Sequence, residues 1–302
     1  TKLIDMLTDL NDYSIGIEDV LKEHFDEENI VYWMAFQILM GNVDTQNRNV
    51  YLYSPLNSDI WYFIAWDNDG CLMRPEYELR NFSDQNSWEK GISNYWGNIL
   101  FQRCLKSRSF REKLNDAILD LREYLNKDML TSKIESYKNV LKPYLYLMPD
   151  AEYEPLTSEQ YDQIAASLPD EIEKNYQLYL ESLETPMPFY IGVPTIDGDK
   201  LKFNWDVSYD LDAEDITYSV EVAGDYLFRD VIYQNTTLTV PEAEMDLPKA
   251  GQYFVRVRAT NTSGKTQDAF DYYVTDEGKY YGMRCFYITE DSTVEEDDYE
   301  EG

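Results

Sequence analysis

The chain is short of the residues on which most hydrolytic and metal chemistry depends. It has one histidine, His24, which nearly excludes a Ser-His-Asp or Cys-His hydrolase. His24 itself lies in a charged, helix-like stretch, LKEHFDEE, and reads as a surface residue. The three cysteines, Cys71, Cys104 and Cys285, are odd in number and far apart, so they give neither a disulfide framework nor a zinc spacing. No apolar run approaches the ~20 residues of a membrane span. Positive charge is scarce: 26 Lys and Arg stand against 58 Asp and Glu, a formal charge of -32. That balance repels phosphate over the whole surface and argues against nucleic acid or anionic membranes as partners. A cation, a basic protein tail or a neutral glycan suits it better. The chain opens on Thr1-Lys2-Leu3 without an initiator Met or signal peptide, and the expectation is a processed or excised piece of a longer protein.

What is present is enough for two domains: 302 residues, of which 43% are hydrophobic. The 27 tyrosines hint at an extracellular or surface setting. Up to about residue 185 the pattern is mostly helical. DEENIVYWMAFQILMGN puts acids at its start, where they suit the helix dipole, and Gly41 near its end, where a helix can close. FREKLNDAILDLREYL repeats apolar residues at three- and four-residue spacing. Between these, NVYLYS reads as a strand, Pro55 to Ser58 as a turn, and IWYFIAW as a returning strand. From Glu184-Thr185-Pro186 the character changes. KLKFNWDVS, ITYSVEVAG, TTLTVPE and GQYFVRVRATNTSG alternate with period two at roughly ten-residue spacing, as in a β-sandwich. The expected organisation is α+β: a helical unit over 1–185 with a β-hairpin, a sandwich over 186–289, and an acidic tail over 290–302. The tail holds eight acids in thirteen positions and reads as solvated and disordered, with metal binding as the lesser alternative.

The sandwich region resembles a fibronectin type III domain. Trp205 stands where that family keeps an early core tryptophan. Tyr253 resembles the tyrosine that opens the penultimate strand, and Asn261-Thr262-Ser263-Gly264 the turn after it. Such domains are spacers or binding modules and say little about chemistry.

The chemistry concentrates between Gly41 and Gly70. Asp44 and Asn49 are five positions apart in a loop after a helix, and Asp67 follows the second strand of the hairpin that begins there. A protein-kinase catalytic loop has this arrangement: an Asp that orients the attacking hydroxyl, an Asn that holds one metal ion, and a later Asp that bridges the metals on the phosphates. Carboxylate and amide oxygens are the ligands magnesium prefers. Two departures stand out. Val43 occupies the place of the usual Arg, and the metal element reads Trp66-Asp67-Asn68-Asp69-Gly70. With those departures the segment GN-x-D-x4-N-x-YLY, then a hairpin into W-D-x-D, resembles the CotH family of atypical kinases, over about residues 1–184.

The resemblance implies a secreted or surface bacterial protein that phosphorylates protein hydroxyls with ATP and Mg²⁺ or Mn²⁺. By it, Asp44 is the catalytic aspartate, Asn49 and Asp67 hold metal, Asp69 is auxiliary, and Asn47 and Arg48 contact phosphate or brace the turn. A kinase also needs a phosphate-covering element and a strand-borne lysine. Only 43 residues precede Asp44 and they read as helices, so this chain alone is expected to transfer phosphate poorly or not at all.

Other readings stand beside this one. Asp67-Asn68-Asp69-Gly70 opens like a calcium loop and Glu78 falls at its closing position. Against it, Cys71 and Leu72 occupy the places of the third ligand and the glycine. Trp61, Tyr62, Phe63 and Trp66 read as core before they read as a stacking platform. The sequons at Asn81, Asn235 and Asn261 matter only in a eukaryotic secretory host. The rival function is a non-catalytic surface module that binds glycan or protein through its aromatic surface. A glycoside hydrolase would need two carboxylates about 5 to 10 Å apart, and no motif supports one.

Overall fold

A helix that is apolar round most of its surface has to bury most of it, and Glu27–Met40 (α3), EENIVYWMAFQILM, does so with Ile30, Val31, Trp33, Met34, Ala35, Ile38 and Leu39, leaving Tyr32 at the surface. In the computed structural model, which describes residues 1–46, 48–72, 88–276 and 278–296, α3 is the centre of a helical unit. Asp26 caps its start by accepting the Asn29 N–H at 2.9 Å. Helices Lys2–Asn11 (α1) and Ile17–His24 (α2) precede it; Ile99–Lys106 (α4), Arg108–Tyr124 (α5), Lys127–Leu145 (α6) and Ser158–Glu184 (α7) follow. α5 buries Phe110, Leu114, Ala117 and Ile118, the i, i+4, i+7, i+8 stripe of an amphipathic helix, and packs on α3. Asn98, Ser107 and Asn126 cap α4, α5 and α6 through their side-chain oxygens, each cap contributing about 1 kcal/mol.

Tyr51–Tyr53 (β1) and Tyr62–Ile64 (β2) form an antiparallel hairpin in the register Tyr51 to Ile64, Leu52 to Phe63 and Tyr53 to Tyr62. A two-stranded ribbon is marginal alone, and three side chains support this one. Phe63 is buried against Trp33 of α3 (4.7 Å between rings) and Phe101 of α4 (5.8 Å). The Asn29 amide accepts from Phe63 N at 2.6 Å and donates to Phe63 O at 3.1 Å. Lys2 clasps the turn from α1.

The second unit is a β-sandwich. One sheet has the order β3-β4-β7: Thr195–Asp197, Lys200–Asn204 and Glu242–Asp246. The other has the order β13-β12-β8-β5-β6: Val294–Glu296, Met283–Ile288, Gly251–Asn261, Ile216–Ala223 and Val231–Leu238, with Thr266–Asp268 (β9) on β8. Leu201, Phe203 and Trp205 alternate inward from β4 and its end, facing Val220 and Val222 of β5 and Val255, Val257 and Ala259 of β8. Tyr272–Thr275 (β10) and Gly278–Tyr281 (β11) form a separate hairpin between β9 and β12.

The helical unit takes the described residues of Thr1–Met73 and Asn98–Leu180, and the sandwich unit those of Arg74–Gly97 and Glu181–Gly302. The sequence suggested one boundary near 185; the structure also gives the second unit an earlier stretch, 88–97, whose WEKGISNYWG has no periodicity to announce it.

Four expectations change. His24 is 6% exposed and buried, not a surface residue, because its Nε2 meets the Asp9 carboxylate of α1 at 2.7 Å. Of the hairpin aromatics, only Phe63 is core; Trp61 and Tyr62 are half-buried and Trp66 is 51% exposed. In the tail, Val294–Glu296 pair with β12 instead of staying solvated, and 297–302 lie outside the described residues. β8 is not the penultimate strand, since β9, the β10–β11 hairpin, β12 and β13 all follow it. Asn261 is buried, its amide donating to Glu184 O and Asp210. Asn81 lies outside the described residues.

Candidate functional site

The Gly41–Tyr53 stretch begins where α3 must stop. Gly41 adopts a left-handed φ of 64°, its N–H donates to Ile38 O, and the Asn42 N–H reaches back to Gln37 O. That pair of bonds is the Schellman closure, which glycine favours. Asn175 of α7 donates to Leu39 O at 2.9 Å, so another helix fastens the same end.

Asn42 then turns inward and is 2% exposed. Its Oδ1 accepts the Asp44 N–H at 3.3 Å, its backbone O accepts the buried Thr45 hydroxyl at 3.2 Å, and its amide donates to Asn68 Oδ1 at 3.2 Å. A second tie, Leu72 N–H to Met40 O at 2.7 Å, joins the same two loops. The loop that carries Asp44 is therefore bonded directly to the loop that carries Asp67 and Asp69.

The site residues sit as follows. Asp44 lies on the 3-10 turn Val43–Gln46 with an exposed side chain. Arg48 is exposed and Asn49 half-buried; Asp67 and Asp69 are exposed. Asn47 and Glu78 lie outside the described residues. Asn49 and Asp67 both have left-handed backbones, with φ of 53° and 51°. Asn and Asp are the non-glycine residues that best tolerate that region, and such conformations gather where a side chain must be aimed. Asp44, Asp67 and Asp69 do not form a three-carboxylate cluster. Among the described residues no group of three or more His, Cys, Asp or Glu could hold a metal.

Cys71 closes the second loop. Its thiol donates to Asn68 Oδ1 at 3.7 Å. Burial, reinforced by the Asp69 carboxylate, pushes its pKa up to about 12, which a hydrogen bond with Asn42 only partly offsets. At neutral pH Cys71 is a neutral thiol and no nucleophile. Beside that loop, the rings of Tyr51 and Trp66 meet at 4.8 Å, tilted to one another, both about half exposed.

Of the bracing residues, Asn42 stands in the GN-x-D motif with no role given to it, while Thr45 and Asn68 were not singled out by the sequence, where each is one more polar residue in a polar loop. The one signal for Asn42 is its place directly after a helix-closing glycine.

A helix end, a short loop, a hairpin and an Asp-bearing loop tied back to the first make a two-loop arrangement. Residues 1–179 match the family described as CotH kinase protein. The chain belongs to the CotH kinase protein family. The match ends one residue before the helical unit does at Leu180. No curated protein matches the chain. Among solved structures, the surface layer protein SbsC, domains 1–6, is similar at 12% identity over 93% of this chain, with a TM-score of 0.18; the chain spans 32% of that structure's length.

Proposed function

We propose that the helical unit is the metal- and hydroxyl-handling part of a protein kinase that uses ATP with Mg²⁺ or Mn²⁺. The observation that carries this reading is the double tie between the two loops, Asn42 to Asn68 and Met40 to Leu72, in a chain of the CotH kinase protein family. The tie supports a reading in which Asp44 and Asn49 on one loop work with Asp67 and Asp69 on the other.

The donor set suits the ion. Magnesium is held by one or two protein oxygen ligands, with water and substrate phosphates completing its shell. Asn49, half-buried, and Asp67, exposed, both on left-handed turns, would supply those two oxygens, with Asp69 as auxiliary. When bound, the metal neutralises charge on the phosphate oxygens. Asp44 orients the acceptor hydroxyl of a protein substrate and accepts its proton. Arg48, and Asn47 in the same loop, contact phosphate. The three elements before Asp44 are the helices α1 to α3, so the phosphate-covering strands of a kinase are not among them. The 302-residue chain alone therefore transfers phosphate weakly or not at all.

The second unit is a fibronectin type III-like spacer or binding module. The pairing β3-β4-β7 against β12-β8-β5-β6 supports this, as does the Tyr253 hydroxyl, which donates to Lys249 O four residues upstream like the tyrosine corner of such sandwiches. The parent protein is secreted or displayed on a bacterial surface.

Calorimetric titration of the chain with ATP, with and without Mg²⁺ or Mn²⁺, tests the reading. Binding that needs the metal and weakens at least about tenfold in Asp67→Ala supports it. Absence of any nucleotide effect would leave a surface module, and sugar binding without metal or nucleotide a hydrolase.

A further inference from the structure

The apolar run of α3 contains one amide. From Ile30 to Met40 every other side chain is apolar or aromatic, and Gln37 stands among them 0% exposed. Among the described residues, neither Oε1 nor Nε2 of Gln37 has a hydrogen-bond partner. An amide buried in that way carries its desolvation penalty with no hydrogen bond to offset it, about fivefold in the folding equilibrium. An apolar side chain of the same shape would avoid the penalty, so a native core keeps few such groups, and each calls for a reason.

The place of Gln37 follows from the ties between α3 and the chain after the hairpin turn. Trp61 N–H donates to His24 O at 2.7 Å, and Asp26 N–H to Trp61 O at 3.1 Å. Asn29 bonds both backbone groups of Phe63, and Trp33, one turn on, packs against the Phe63 ring. Beyond the helix end, the Asn42 amide reaches Asn68. The ties climb both segments in the same direction, so 61–68 runs along one side of α3. Asn29, Trp33 and Gln37 succeed one another on that side at four-residue spacing. The spans agree as well. Helical rise from Val31, midway between Asn29 and Trp33, to Asn42 is about 16 Å, and extended chain from Phe63 to Asn68 covers about the same distance. Gln37 lies about 9 Å along that rise, level with Ala65 and Trp66. β2 ends at Ile64, so the peptide groups of Ala65 and Trp66 belong to no ladder. Asp67 comes next, on its left-handed turn.

We propose that Gln37 is a positioning residue for Asp67, its buried amide taking up the Ala65–Trp66 backbone when Asp67 holds a metal on the phosphates. The proposal rests on the reading of Asp67 as a metal ligand. Binding then satisfies an amide that is otherwise buried without a partner, so part of the affinity at Asp67 originates inside the core of α3.

Gln37→Met, close in length and free of polar atoms, tests this in the full 302-residue chain. Without nucleotide, denaturation should show Gln37→Met more stable than wild type, by about fivefold in the folding equilibrium. Calorimetry should show its Mg-ATP affinity lower by a similar factor, the opposite sign. In wild type, the Gln37 side-chain amide NMR signals, assigned by their loss in Gln37→Met, should shift on addition of Mg-ATP and stay in place in Asp67→Ala. A Gln37→Met chain less stable than wild type would overturn the proposal, since the amide would then already serve the core. So would unchanged Mg-ATP affinity, or Gln37 signals that Mg-ATP does not move. These results in a wild type that binds Mg-ATP remove the role of Gln37 alone. A wild type that binds no Mg-ATP removes the reading of Asp67 and this role with it.

Discussion

The Asn42 amide donates to Asn68 Oδ1 at 3.2 Å, and through that bond the end of α3 holds the loop of Asp67 and Asp69. Asn42 is buried and also receives the Asp44 N–H, so it braces both loops at once. Asn42→Ala leaves the Asn68 acceptor and the Asp44 N–H without this partner. It is expected to cost about 1–3 kcal/mol and to weaken Mg-ATP binding, although Asn42 would touch neither metal nor nucleotide. Chemical denaturation and calorimetry read the two effects separately. Lost affinity with unchanged stability would mean that Asn42 acts by direct contact.

Gly41→Ala meets two obstacles. The left-handed backbone costs roughly 1–2 kcal/mol for any L side chain. A Cβ there would also sit 2.6 Å from Asn175 Nδ2, which is held in place by its bond to Leu39 O. The melting temperature should therefore fall further in Gly41→Ala alone than when the same change is made in an Asn175→Ala background. Equal losses in the two backgrounds would show that the backbone conformation alone sets the cost.

How much of this was legible depends on how local each feature is. α3, α5 and the Gly41 closure were readable because helical spacing and the αL preference of glycine act over a few residues. The hairpin was readable from its alternating strands and Pro55–Ser58 turn. The sandwich was readable from period-two alternation in KLKFNW and FVRVRA. Non-local features were hidden. His24 looks solvated until α1 brings Asp9 against it, and Asn42 looks like loop until Asn68 arrives from the far side of the hairpin. The stretch 88–97 has no periodicity, so nothing in it reveals that its Trp and Glu belong to Lys279, 190 positions away. At the tail, acid content outweighed Val294, whose packing against the sandwich core makes the edge strand worthwhile.

Lys2 tests whether the hairpin is held from outside. Its ammonium donates to Ser54 Oγ at 2.8 Å, Pro55 O at 2.6 Å and Ser58 O at 3.0 Å, and lies over the Trp61 ring at 5.7 Å. Lys2→Met keeps the aliphatic stem and removes the donors, at an expected cost of about 1–2 kcal/mol for a half-buried charged donor. Amides of β1 and β2 should lose exchange protection, with α5 unaffected. Unchanged β1 protection would show that Phe63 and Asn29 suffice.

Asp271 gives the sandwich unit a stability that depends on pH. Its Oδ2 accepts the Ile191 N–H at 2.7 Å, and Arg284 lies 3.8 Å from its other oxygen. Burial nevertheless dominates and, with the Asp206 carboxylate adding repulsion, raises its pKa to about 6 against the two favourable partners. For an acid raised in the folded state, the folded protein binds the proton more tightly than the unfolded chain. The stabilisation is complete below the unfolded value near 4 and is lost as pH rises through about 6. The size of the effect is on the order of 3 kcal/mol. The buried Asp268 is shifted in the same direction, mainly by burial, and adds to the trend. The acidic chain also gains charge over this range, so the comparison must be made against Asp271→Asn, which keeps an oxygen for Ile191 but cannot ionise. At pH 4 the two proteins should unfold at similar denaturant concentrations, and by pH 7 Asp271→Asn should be the more stable. If the difference between them stays constant from pH 4 to 7, Asp271 titrates alike in the folded and unfolded chains, and the Ile191 and Arg284 contacts fully offset its burial.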